Sequence, residues 1–122
     1  LQLKYMSEWY SRPVFFVSDL KKASDFYRDV MGFKEAWSHE DKGKKIVAQM
    51  TRGSCEIILN ENSERAGKSR AFIALEVEEL EVLQKEIVEK KIETKNLFWG
   101  YPVIEIKDPD GNELLFPIED LK

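Results

Sequence analysis

Apolar positions along this chain change their spacing in an order that is then repeated. Pro13-Val14-Phe15-Phe16-Val17 is a continuous apolar run of strand length. At Ser18-Asp19, whose side-chain oxygens suit a helix N-cap, the spacing becomes helical, with Leu20, Ala23, Phe26, Tyr27 and Val30 on one face up to Met31. Gly32 then supplies the residue that tolerates a left-handed stop. Residues 33–40, 45–51 and 54–60 are strand-length pieces broken at Asp41-Lys42-Gly43 and Arg52-Gly53, a pattern that predicts an antiparallel meander.

Residues 61–69 are polar and read as a linker. After them the order recurs. Residues 71–77 form an apolar run, and 78–90 a helix with Leu80, Leu83, Ile87 and Val88 inward. Residues 101–107 alternate Val103 and Glu105 against Pro102, Ile104 and Ile106; Asp108-Pro109-Asp110-Gly111-Asn112 is a strong turn, and 113–118 a last strand. Val17-Ser18-Asp19-Leu20 aligns with Val77-Glu78-Glu79-Leu80 at an offset of 60, and Gly53 with Gly111 at 58. An apolar residue before an acidic cap is common at strand–helix junctions, so the repeat needs both matches. Together they predict an α+β fold of two tandem βαβββ modules forming a curved mixed sheet around a cleft. The divisions are an N-terminal arm over 1–12, modules over 13–60 and 70–122, and the linker, all in one structural domain.

Composition narrows the function. The 122 residues make one domain, 43% apolar and 34% charged. Nineteen basic against 23 acidic side chains give a net charge of −4, which argues against a nucleic-acid partner. No apolar run approaches the roughly 18 residues of a membrane span, and no secretory-signal pattern opens the sequence, so a cytoplasmic protein with no membrane partner is expected. A single cysteine, Cys55, excludes an internal disulfide, and a single histidine, His39, excludes a two-histidine metal site within one chain. Cys55 has no basic neighbour on its strand except Arg52, no glycine-rich phosphate loop occurs, and no spacing assembles a catalytic constellation.

The segment from Pro13 to Leu20, continued through Phe26-Tyr27-Arg28-Asp29-Val30-Met31-Gly32-Phe33, resembles the opening module of the vicinal oxygen chelate superfamily, which includes glyoxalase I, extradiol dioxygenases and bleomycin-resistance proteins. Asp108-Pro109-Asp110-Gly111-Asn112 looks like its last hairpin. Phe98-Trp99-Gly100 is similar to the Trp-Gly pair of bleomycin-resistance proteins. The resemblance covers residues 12–119 and implies the glyoxalase/bleomycin resistance fold, with a cleft completed in a homodimer.

The resemblance also locates the metal ligands of metal-using members: a first-strand histidine seven residues before the acidic cap, and a carboxylate on the fourth strand. Counting back from Asp19 gives Arg12, and from Glu79 gives Phe72. Neither ligates as imidazole does. The fourth-strand positions fall at Leu115 and near Ile57, with Glu56 adjacent. No metal and no cofactor are therefore expected, and the metal chemistry of glyoxalase I and the dioxygenases is argued against.

The candidate ligand-binding residues are Trp37 and Trp99, with Phe98, Tyr101 and Phe116 as further wall and Arg12, Glu105 and Glu113 as polar contacts. Flat aromatic faces favour planar or cationic ligands, and the acidic net charge adds long-range attraction for cations. Core or interface filling by either tryptophan stands as the alternative. The expected function is sequestration of an aromatic or cationic small molecule such as a bleomycin-like antibiotic. A metal-independent lyase or isomerase using Glu113 or Glu105 as base, or a metabolite-sensing accessory protein, is the alternative.

Overall fold

Why the chain folds into two similar halves is visible at their first turns. In the computed structural model, which describes residues 9–118, the apolar run becomes β1 (Val14–Val17). Asp19 caps α1 (Leu20–Asp25) by accepting a 3.0 Å bond from the Lys22 amide. A second carboxylate, Glu61, accepts from the Leu20 amide at 2.9 Å. The helix widens into a π-helical turn over Phe26–Val30 and stops at Gly32, whose φ of +73° is the left-handed conformation expected there. The remaining elements are β2 (Lys34–Asp41), β3 (Lys44–Arg52), β4 (Cys55–Glu61), β5 (Arg70–Phe72), α2 (Val77–Glu89), β6 (Lys95–Phe98), β7 (Pro102–Lys107) and β8 (Glu113–Pro117). Positive φ at both Lys42 and Gly43 makes the β2–β3 turn match the strands' right-handed twist.

Each half is a four-stranded mixed sheet, in the orders β1-β4-β3-β2 and β5-β8-β7-β6, with its first strand parallel to its fourth. One face of each sheet turns into a shared core. Phe15, Val17, Ala48, Met50, Ile57 and Leu59 of the first sheet join Ile104, Ile106, Leu114 and Phe116 of the second, with Leu20, Ala23 and Tyr27 beneath them and Leu83 of α2. Polar ties cross between the halves: the Tyr27 hydroxyl donates to Asp108 at 3.0 Å, the Ser18 hydroxyl to Asp110 at 2.6 Å, and Arg52 to Glu86 at 3.0 Å. Gly67, at φ +80°, packs against the Asp110 backbone carbonyl so closely that a Cβ has no room.

Three local expectations change, and one lies beyond what the structure describes. Residues 1–8 of the expected arm lie outside the described residues. The helix cap of the second half is Glu76, with Val77 opening α2, so the offset of 60 read at Val17 and Val77 pairs the end of a strand with the start of a helix. Strand β5 ends at Phe72 rather than running to Val77. Strand β6, Lys-Asn-Leu-Phe, has no apolar pattern to announce it and is held as an edge strand by pairing with β7.

Candidate functional site

The faces of the two sheets turned away from the shared core hold the polar and aromatic side chains that the core excludes. On β4, Ile57 and Leu59 point inward, so alternation puts Glu56, Ile58 and Asn60 on the open face. Pairing then places Thr51 beside Glu56, Gln49 beside Ile58, and Trp37 beside Gln49.

Gln49 ties this face together and is only 3% exposed. Its Oε1 accepts from Arg12 Nη1 and from Trp37 Nε1, each at 2.9 Å. Its Nε2 donates to Thr51 Oγ1 at 3.2 Å and to Glu56 Oε2 at 3.1 Å. Every hydrogen-bonding position of the amide is thereby used, which fixes its orientation and holds Trp37, Arg12 and Glu56 in place. The Arg12 side chain is 10% exposed, and its Nε lies 3.5 Å from Glu56 Oε1. That oxygen is buried and receives no hydrogen bond from the described residues.

The open face of the second sheet is built differently. Arg70 stands opposite Glu113 and Phe72 opposite Leu115. An Arg70–Glu113 ion pair of 2.9 Å occupies the first of these positions. Phe72 stacks on Trp99 with ring centroids 5.8 Å apart and planes 13° from parallel, Tyr101 meets Phe72 edge-on at 6.4 Å, and Arg70 lies 5.5 Å from the Trp99 ring centre. A groove of about 600 Å³ runs between the two sheets, with Arg12, Glu56 and Ile57 on one side and Ala71, Phe72 and Ile73 on the other; Trp37 and Trp99 are not in its lining.

The expected site residues thus divide. Arg12 and Trp37 meet at Gln49; Trp99 and Tyr101 meet at Phe72; Glu113 is held by Arg70. Glu105 is on the same open face, opposite Leu115 and Lys95, and is buried. Phe116 is not on that face, because it alternates with Leu115 and packs in the shared core, where it lines a cavity of about 210 Å³ with Met31, Phe33 and Leu83 that adjoins the groove at Ser54, Cys55, Ile73 and Ala74. Phe98 is 74% exposed and pairs with Pro102, out of phase with Leu97 and Val103, which lie on the side turned from the shared core, where Val103 is itself buried. Gln49 and Arg70 are residues that the sequence did not single out, while Phe72 and Glu56 were reached only in counting metal-ligand positions and not as binding residues.

The positions at which metal ligands are expected do not fit a metal. Arg12 is a permanent cation, already beside Glu56, and the opposed pairs of the second sheet are Arg70–Glu113 and Phe72–Leu115. His39 is exposed near the β2–β3 turn. Among the described residues no three His, Cys, Asp or Glu side chains are grouped to hold an ion. Burial pushes the Cys55 thiol above its ordinary value, with Arg52 offsetting only part, so it stays protonated at neutral pH. No helix among the described residues is long and apolar enough to cross a membrane.

Comparison with known proteins agrees with this architecture. A Bacillus subtilis protein, the uncharacterized YraH, is 24% identical and aligns with 79% of this chain and 87% of its own. The bleomycin-binding protein of Streptomyces verticillus, solved with copper(II)-bleomycin, superposes with a TM-score of 0.73 at 18% identity, covering 94% of this chain and 100% of that one. A lactoylglutathione lyase from Agrobacterium tumefaciens superposes at 0.68 with 19% identity, covering 93% and 94%. A binding protein and an enzyme therefore fit the backbone nearly equally well, and the fold does not choose between them. The model of one family matches residues 9–116, nearly the whole described chain. The chain belongs to the Glyoxalase/Bleomycin resistance protein/Dioxygenase superfamily.

Proposed function

We propose that this chain is a metal-independent binding protein that sequesters an aromatic or cationic small molecule, of the bleomycin type, in a hydrophobic cleft of a cytoplasmic homodimer. The observation that carries the reading is the Phe72–Trp99 stack on the open face of the second sheet, with both rings more than two-fifths exposed. Large aromatic rings held rigid and left in contact with water form a preorganised surface for a planar ligand. The net charge of −4 favours the approach of cations. Arg12, Phe72 and Leu115 offer a metal no ligand atom and Glu56 is already paired with Arg12, which favours binding without a metal. The likeness to a bleomycin-binding fold is consistent with this role.

The test is a thermal-shift titration of the purified protein, its mass measured by ultracentrifugation, with bleomycin, a set of planar antibiotics, and Ni²⁺ or Zn²⁺. Saturable stabilisation of a dimer by an aromatic compound, with none from metal, is expected. Stoichiometric stabilisation by metal with no response to any aromatic compound would overturn the proposal.

A further inference from the structure

We infer that the cavity lined by Phe116 and Leu83 is a second binding site, for a small aromatic ammonium whose ring lies inside and whose charge sits at the mouth with Glu76 and Glu79. It is separate from the open-face site proposed above and stands without it. The cavity holds about 210 Å³. An apolar cavity of about 150 Å³ is enough for benzene, so a phenyl ring with a short tail fits. Its walls are Met31, Phe33, Leu83 and Phe116 of the shared core, with Ile73 and Leu75 from the chain between β5 and α2. The four core side chains are already held in place, so a ring that enters leaves water without having to order its walls.

Charge at the mouth decides which ring is preferred. Among the described residues Arg52 is the one basic side chain in the lining, and it is engaged. Its Nη1 donates to the Met31 carbonyl at 2.7 Å and to Glu86 Oε1 at 3.0 Å, and its Nη2 to Glu86 Oε2 at 3.3 Å. Cys55, on the wall shared with the groove, stays protonated and neutral. Glu76 and Glu79 also line the cavity, are exposed, and pair with no basic side chain among the described residues. They stand at the start of α2, whose free amides carry about half a positive charge. Two full carboxylates, with Glu78 beside them, outweigh it, and the mouth is negative. An ammonium is attracted there, a neutral group gains nothing, and a carboxylate is repelled.

The experiment adds 2-phenylethylamine, 2-phenylethanol and phenylacetate to the full chain at pH 7 and low ionic strength. The Met31 methyl resonance reads occupancy of the cavity, because Met31 lines it and is 2% exposed, while the Trp99 indole N–H resonance reads the open face. Saturable shifts at Met31 are expected, with the amine bound about fivefold more tightly than the alcohol and at least about tenfold more tightly than the acid. The double substitution Glu76→Gln/Glu79→Gln, at two exposed positions, should bring amine and alcohol within about twofold of one another. No shift at Met31, a wild-type preference for the amine below about threefold, tightest binding by phenylacetate, or a preference that survives the double substitution would each overturn the site. Shifts confined to Trp99 would overturn it while supporting the open-face reading. Shifts confined to Met31, with the expected ranking, would support it whatever the open face binds.

Discussion

Replacing Gln49 by leucine keeps the volume of a 3%-exposed side chain and removes every hydrogen bond it makes. Four bonds are lost, between 2.9 and 3.2 Å, and two of them engage charged groups, Arg12 and Glu56. Bonds to charged groups contribute about 1.5–3 kcal/mol each and neutral ones about 0.5–1.5. Against this, Arg12 and Glu56 already stand 3.5 Å apart and can close on one another, and leucine gains from burial. The net expected loss is about 2–4 kcal/mol. For a domain of this size that lowers Tm by roughly 6–15 °C. Urea unfolding followed by far-UV circular dichroism measures the loss without relying on Trp37, whose emission the variant itself changes. Thr51→Val is the internal control: it deletes one neutral bond, at 3.2 Å, and should cost about 0.5–1.5 kcal/mol. Equal losses in the two variants, or a loss below about 0.5 kcal/mol in Gln49→Leu, would mean that the amide does not organise this face.

Three further outcomes follow from the packing. Gly67→Ala places a Cβ against the Asp110 carbonyl at a φ of +80°, whereas Gly43→Ala meets open space at the same φ; the first should cost about 2–4 kcal/mol and the second about 1, and equal costs in chemical denaturation would show that the segment is not docked. Tyr27→Phe removes the bond to Asp108 while burial holds the tyrosine hydroxyl in its protonated form, so a loss of about 1–2 kcal/mol is expected in the same assay, and no loss would contradict the tie between the modules. The bond from Lys44 and the α1 amide holds the Glu61 carboxyl below its ordinary 4.5; a depressed folded pKa gives stability that is present above 4.5 and lost as pH falls through the lower folded value, so Glu61→Gln should flatten the acid side of the stability–pH curve, and an unchanged slope would refute the pairing.

How far the chain could be read before its structure depended on whether a residue's partners were local. Asp19 is a cap by its neighbours alone, and counting back from it reached Arg12, which does stand on the open face. Glu56 was passed over because the count from the turn glycine landed one residue on, at the inward-facing Ile57; strand pairing, not spacing, decides the face. Gln49 is one polar residue in a strand with Val47 and Ala48, and alternation alone reads such a residue as solvated; Arg12 and Trp37, 37 and 12 residues away, bury it. Phe72 carried the expectation of a missing ligand, and its pairing with Trp99 depends on a loop 27 residues on, for which no periodicity exists. The second helix began earlier than expected because Glu78 and Glu79 both look like caps, and no side-chain bond marks the residue that takes the role, Glu76.

The central claim is that the open faces carrying Trp37 and Trp99 bind an aromatic ligand. Tryptophan-fluorescence titration tests it directly, with bleomycin and planar aromatic compounds added to wild type, Trp37→Phe and Trp99→Ala. Saturable quenching in wild type that weakens by at least about tenfold in Trp99→Ala and loses its Trp37 component in Trp37→Phe is the predicted result. Quenching that persists unchanged in both variants, or none with any aromatic compound, would contradict the account.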